Sequence, residues 1–343
     1  MRKKILLKLL SCLLVIALAV LSVLLPFIDF EKKMISLNVP ESYRPYLREL
    51  HIKYPEWEFV MYETGLDWNE VINAQCEIGK NLVEDYIHSV PDSWKAKKDG
   101  TFDAINNKYI PLSGDTYVQA SDDIIKYFMD PRNFLNEENI FQFEHLKYSE
   151  HQSIDVVKTI LKGSFMEEVE VETGITYADT FMIIGKKLDL SPYLLATRVV
   201  QEQSPEGGSL LISGKYEGYE GYYNYFNIKA AGGTQQEVVE NGLLKAKEEG
   251  WDTIYKSLEG GAEYLAENYI LQGQDTLYLQ KFDVESEHSG LYWHQYMQAL
   301  YAAFNEGNTV EEAYRKLEIK DGYFKFKIPV YENMPEFTCA LPD

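Results

Sequence analysis

The stretch Asp189–Ser204 reads DLSPYLLATRVVQEQS, and it describes a helix with both ends marked. Ser191 stands where an N-cap belongs, and Pro192 follows at the first helical position, where its missing N–H costs nothing. From Pro192 to about Gln203, residues Leu195, Val199 and Glu202 fall at i, i+4 and i+7, positions that share one helix face. Glu202 is therefore expected as a carboxylate on the apolar side of a helix, near its C-terminal end. Burial and the negative end of a helix dipole both favour the protonated form of a carboxyl, the form from which a general acid starts. The plainer alternative is a buried Glu paired with a base such as Arg198, one turn earlier on the same helix.

Just downstream lies Ser213–Gly233, SGKYEGYEGYYNYFNIKAAGG, with five glycines and five tyrosines in 21 residues. Glycine frees the backbone for turns, so a flexible loop or hairpin dense in flat aromatic faces is expected. Glu217 and Glu220 lie inside it. One carboxylate on a rigid helix and a second on a mobile lobe is an arrangement that glycosidases use. A surface β-hairpin with tyrosines paired across its strands is the structural alternative.

Working outward, Tyr177–Leu188 is an apolar-faced segment. Later helices are expected at roughly Gly260–Gln272 and Tyr292–Asn305, joined by a connection over Gly273–Glu287, with a β-rich tail at Tyr323–Tyr331. From Ser36 to about Gly163 short elements alternate. Tyr43, Tyr46, Leu47 and Leu50 make a helical face, and Trp57, Phe59 and Met61 suit a strand. Asp67-Trp68-Asn69 opens a helix, Lys95–Thr116 reads as a loop, and a helix over Ser121–Met129 is stopped by Asp130-Pro131.

At the N-terminus, Arg2, Lys3, Lys4 and Lys8 precede an uncharged apolar run from Leu9 to Ile28. Such a run spans about 30 Å as a helix, the thickness of a bilayer's hydrocarbon core. The basic cluster assigns its flank to the cytoplasm and everything after Asp29 to the outside, giving a single-pass membrane protein. The alternative is a secreted protein with a cleaved leader, since Ala17-Leu18-Ala19 has the small-x-small form of a cleavage site.

The 343 residues carry 54 acidic against 33 basic side chains, a formal charge of −21. A field of that sign repels nucleic acid, which is not an expected partner. Tyrosine, at 26 residues, supplies most of the aromatic content and suits surfaces that grip partly polar ligands. Cys12, Cys76 and Cys339 are too few and too scattered for a disulfide framework or a zinc knuckle, and are read as unrelated thiols, with a Cys76–Cys339 disulfide as the alternative. H-E-x-x-H, G-x-S-x-G and P-loop motifs are missing, and His288 and His294 are badly spaced for two ligands on one helix face. No metal or organic cofactor is expected.

The runs ATRVVQEQS (Ala196–Ser204) and SGKYEGYEGYYNYFNIKA (Ser213–Ala230) resemble the glucosaminidase domain of glycoside hydrolase family 73. Further likeness lies in Gly242–Trp251, Gly260–Val284 and His294–Leu300. Pro40–Gln75 and Met129–Glu137 resemble the segment preceding that domain in clostridial-type proteins. The resemblance implies a mainly α (α+β), lysozyme-like fold with a small β lobe; the mixed α/β extension and the transmembrane helix, read from the residue pattern, precede it. With the residue pattern it divides the chain into a membrane anchor or uncleaved signal (1–30), an accessory region (36–165), a catalytic domain (170–310) and a tail (311–343).

The activity so implied is cleavage of β-1,4 bonds of peptidoglycan glycan strands on the reducing side of N-acetylglucosamine. The resemblance sets the catalytic Glu on Glu202 and a second acidic residue on Glu217 or Glu220. It sets substrate-binding residues on Tyr222, Asn224, Phe226, Asn227 and Tyr296, with Asn227 standing where many members have Gly. A silent glycan-binding or wall-assembly scaffold is the alternative, followed by a wall amidase.

Overall fold

The computed structural model describes residues 28–86, 90–285 and 290–343. The chain divides into two compact units, one ending at Pro55 and the other running from Glu56 to Asp343. The expected accessory and catalytic regions are therefore not separate compact units. The apolar run expected to cross a membrane falls on residues outside those described, apart from its last residue. Among the described residues no helix is long and apolar enough to do so.

In the first unit, helix α1 (Arg44–Lys53) buries Leu47 and Leu50, the face its sequence marks. Within this unit His51 stacks on Phe30 with ring centroids 3.9 Å apart.

The second unit begins with strand β1 (Glu58–Asp67), which leads straight into α2 (Trp68–Gln75). Asp67 caps α2 by accepting from the N–H groups of Asn69 and Glu70. The partner of β1 comes from the far end of the chain. Strand β6 (Lys325–Glu332) pairs with it in parallel, with Phe59 opposite Phe326 and Met61 opposite Ile328. Parallel strands need a long crossover, and here the crossover is most of the unit. Trp57, Phe141, Phe324 and Phe326 form an aromatic core against this pair, with centroid separations of 4.9 to 6.5 Å.

The loop expected over Lys95–Thr116 contains short strands: β2 (Phe102–Asp103) pairs with β3 (Lys108–Tyr109), and β4 (Pro111–Ser113) pairs with β5 (Tyr117–Gln119) just beyond it. Helix α3 (Asp122–Met129) ends before Pro131 as its sequence requires.

The helices that position Glu202 are α4 (Ile154–Leu161), α5 (Tyr177–Leu188) and α6 (Pro192–Gln203). Asp189 leaves α5 in the left-handed region at φ 56°, and Ser191 caps α6 by accepting from the N–H of Leu194. α6 packs on α4 and α5, and α5 on α8 (Ile254–Asn268). Helix α7 (Gln235–Glu248) precedes α8 and carries a capping box between Thr234 and Glu237.

Two expectations about the last third are corrected. Gly273–Glu287 was expected to be a bare connection, yet it holds helix α9 (Leu277–Phe282). The helix expected over Tyr292–Asn305 lies further on, as α10 (Ala302–Lys316). Residues before it are held irregular because their backbone groups bond elsewhere. Asp283 accepts from the N–H of Trp293 and His294, Gln280 O from that of Tyr296, and Leu82 O from that of Leu300. α10 packs on the turn Ile140–Phe143, where any side chain at Gly307 would meet Gln142 N at 2.6 Å.

The expected small β lobe is also corrected: Ser213–Gly233 forms turns and bends without a strand. Gly214, Gly218 and Gly221 all take positive φ, which turns the chain too often for a strand to run. Its N–H groups go to distant carbonyls, Tyr223 to Trp251 and Asn224 to Leu211. Cys76 and Cys339 are free thiols, so the disulfide alternative does not hold.

Candidate active site

Glu202 is the penultimate residue of α6, and it is half-buried rather than buried. Its neighbour Gln203 is buried and bonds the loop that follows from across the chain. Gln203 Nε2 donates to Tyr225 O at 2.9 Å and to Asn227 Oδ1 at 2.8 Å. With its oxygen so engaged, the Asn227 amide must point its nitrogen at the helix end. Asn227 Nδ2 then donates to Glu202 Oε2 at 2.9 Å and to Glu202 O at 3.1 Å. Among the described residues the first of these is the hydrogen bond that the Glu202 carboxylate takes, and it fixes Oε2.

Asn227 sits at φ 52°, the left-handed region that asparagine tolerates better than most side chains. This explains how Asn can stand where a glycine is common in the resembling family. Asn224 has a different role from the expected one. It is fully buried; Nδ2 donates to Ile228 O and Gly242 O, and Oδ1 accepts from the N–H of Ile228. Those bonds shape the turn that presents Asn227, so Asn224 is corrected from a ligand contact to an internal brace.

A groove of about 160 Å³ opens over Glu202. Phe226, Tyr269 and Tyr296 line it together with Arg198, Leu194 and Gln280. Phe226 packs so closely on α8 that a Cβ at Gly261 would sit 2.2 Å from its ring. Tyr269 stacks on His294 at 4.9 Å and meets Tyr296 edge-on at 5.6 Å. Burial raises the Tyr296 phenol above its ordinary value, and Glu306 beside it adds to the effect. The Glu306 carboxyl is itself raised by burial, against the opposing pull of Arg198.

The structure thus brings together Glu202, Phe226, Asn227 and Tyr296. Arg198 lines the same groove, and its charge acts on Glu306 and Tyr296. Glu217 and Glu220 are exposed on turns and do not line the groove, and half-buried Tyr222 does not either. Their neighbours Tyr216 and Tyr219 pack instead on Leu211, Val239 and Leu243. Gln203 and Tyr269 were not read from the sequence as site residues. The doublet Gln203 beside Glu202 was visible there, but Tyr269 arrives from another helix end and leaves no local pattern.

The chain is similar to bifunctional autolysins. It is 27% identical over 280 residues to that of Staphylococcus aureus strain MSSA476, covering 80% of this chain and 19% of the relative. With the Staphylococcus epidermidis protein it shares 25% over 235 residues, 66% of this chain and 16% of the relative. The chain therefore spans about a fifth of the length of the curated relatives it matches. No family model matches it. The crystal structure of S. aureus glucosaminidase B superposes with a TM-score of 0.57 at 20% identity, covering 81% of this chain and 95% of that one. The chain shares the glucosaminidase B fold. The crystal structure of Major Bifunctional Autolysin agrees, with a TM-score of 0.56 at 23% identity and coverage of 80% and 98%.

Proposed function

We propose that this protein hydrolyses the β-1,4 glycosidic bonds of peptidoglycan strands on the reducing side of N-acetylglucosamine, with Glu202 as general acid. The observation that carries the reading is the Asn227–Glu202 pair: a carboxyl at the end of a rigid helix, facing an aromatic groove, with Oε2 fixed and Oε1 without a partner among the described residues. Similarity to bifunctional autolysins and the shared fold of a glucosaminidase support the same chemistry.

Glu202 protonates the glycosidic oxygen as the bond to the anomeric carbon breaks. Of the described residues lining the groove, Glu202 is the one carboxylate. That favours attack on the anomeric carbon by the substrate's own acetamido oxygen, over a protein nucleophile. Water then opens the cyclic intermediate, delivering a proton back to Glu202 and the hydroxyl to the new reducing end. Phe226 and the two groove tyrosines offer flat faces to the sugar rings. We further propose that residues 1–30 hold the chain at the membrane with the catalytic part on the wall side.

Digestion of purified peptidoglycan, followed by reduction and mass spectrometry, tests the reading. New reduced N-acetylglucosamine ends from the parent and none from Glu202→Gln are expected. Binding of strands without new ends from either protein would make the chain a glycan-binding scaffold.

A further inference from the structure

Beside the Glu202 groove lies a second cavity, of about 210 Å³. The two share Leu146, Leu194, Arg198 and Leu277 as a common wall, so one opens next to the other. Phe141, Leu277 and Val310 give the second cavity apolar sides. Its polar lining is less ordinary. Glu144 is 4% exposed, and among the described residues its side chain takes one hydrogen bond, a long one of 3.4 Å from Tyr314 Oη. Burial pushes this carboxyl up to about 8, so at neutral pH it holds a proton and can donate. Thr197 is 7% exposed, and among the described residues its Oγ1 has no partner in full hydrogen-bonding geometry; the Tyr314 hydroxyl interacts with it only at the margin of that geometry. Buried polar groups left in this state lower stability unless something arrives to pair them. Neither group takes part in the proposed hydrolysis.

We propose that this cavity is a binding subsite for the acetamido group of a sugar next to the one being cleaved, an inference that rests on the glycan reading above. A secondary amide carries one acceptor, one donor and a small apolar end. The Glu144 carboxyl donates to the amide carbonyl, Thr197 Oγ1 accepts from the amide N–H, and the methyl sits among Phe141, Leu277 and Val310. A sugar with a free amine brings neither the methyl for the apolar side nor the carbonyl for Glu144, and is bound more weakly.

Saturation-transfer NMR on the full chain carrying Glu202→Gln tests this, with N-acetylglucosamine, glucosamine and lactoyl-alanine as separate probes. The acetamido methyl is expected to be saturated, glucosamine not. Val310→Trp fills the cavity and Thr197→Val removes the hydroxyl at nearly constant volume. Each is expected to cut the methyl signal about tenfold, the loss of one matched buried hydrogen bond or of its space. Should Val310→Trp fail to fold by circular dichroism, Thr197→Val decides. Undiminished methyl saturation in the folded variants overturns the subsite, as does saturation of lactoyl-alanine alone, which would give the cavity to a peptide stem. Peptidoglycan digestion by the Glu202 protein is read separately. Digestion with cavity-independent binding rejects the subsite alone, whereas no digestion with cavity-dependent binding rejects the hydrolase and keeps the subsite.

Discussion

Asn227 reaches back across the loop to hold both the side chain and the main chain of Glu202, at 2.9 and 3.1 Å. The contact joins the last turn of α6 to a residue 25 positions later, so the acid is oriented by tertiary structure. Its removal without backbone strain is possible because glycine accepts the same φ of 52°. In Asn227→Gly we expect the melting temperature to move little and kcat on peptidoglycan to fall roughly tenfold, the scale of one charge-assisted hydrogen bond. Unchanged kcat would mean that the carboxyl does not depend on Asn227 for its orientation.

The acid itself should matter more. Glu202→Gln keeps the groove and its hydrogen-bonding partner, and removes the transferable proton. A loss of about 10²–10⁴ in kcat with strand binding preserved is expected, the usual contribution of a positioned general acid. A double Glu217→Gln, Glu220→Gln protein should keep near-parental turnover, because neither residue lines the groove. A collapse of activity in the double variant would restore the paired-carboxylate mechanism.

Stability should vary with pH in two opposed ways. Glu144, raised by burial from 4.5 to about 8, keeps its proton in the folded chain where the unfolded chain has lost it. Its contribution is full below pH 4.5 and is lost as the pH rises to about 8. Lys281, buried with its ammonium on Asn81 Oδ1 and Met297 O, is lowered by burial from 10.5 to about 7. It loses its proton first in the folded chain, so stability rises with pH from about 7 to 10.5. Each slope is at most about 1.4 kcal/mol per pH unit. Chemical denaturation across pH 4–10 should show the fall vanish in Glu144→Gln and the rise vanish in Lys281→Met.

Phe226 forms one side of the groove only because α8 has no side chain at Gly261. Gly261→Ala should cost about 1–3 kcal/mol through overpacking and should raise KM more than it lowers kcat. A KM equal to that of the parent would show that the ring does not touch substrate.

The C-terminal tail hangs on a buried ion pair. The Arg132 guanidinium bonds Asp130 at 2.9 and 2.8 Å, the residue's backbone N–H bonds the same carboxylate at 3.1 Å, and the guanidinium also donates to the carbonyls of Pro335, Glu336 and Phe337. Asp130 in turn accepts from the N–H of Cys339. Arg132→Met leaves that carboxylate buried with its charge partner gone, at a cost of about 3–5 kcal/mol. Limited proteolysis should then cut within residues 335–343 well before the parent is touched.

Features that depend on near neighbours were legible in the residues alone. The Ser191-Pro192 start of α6, the face carrying Leu195 and Val199, the Asp67 cap and the stop at Pro131 are all local chemistry, and each is found where it was read. The position of Glu202 at the helix end was legible for the same reason. The remaining features were settled by packing between residues far apart in the chain. Glycines and tyrosines at Ser213–Gly233 suit a hairpin and a string of turns equally, and the choice fell to Trp251 and Leu211, whose carbonyls take the backbone N–H groups. The apolar spacing over Tyr292–Asn305 suited a helix until Asp283, Gln280 and Leu82 claimed its backbone. Asn224 proved internal and Glu217 and Glu220 peripheral because burial is settled by packing between distant segments. Residue type alone does not carry that information.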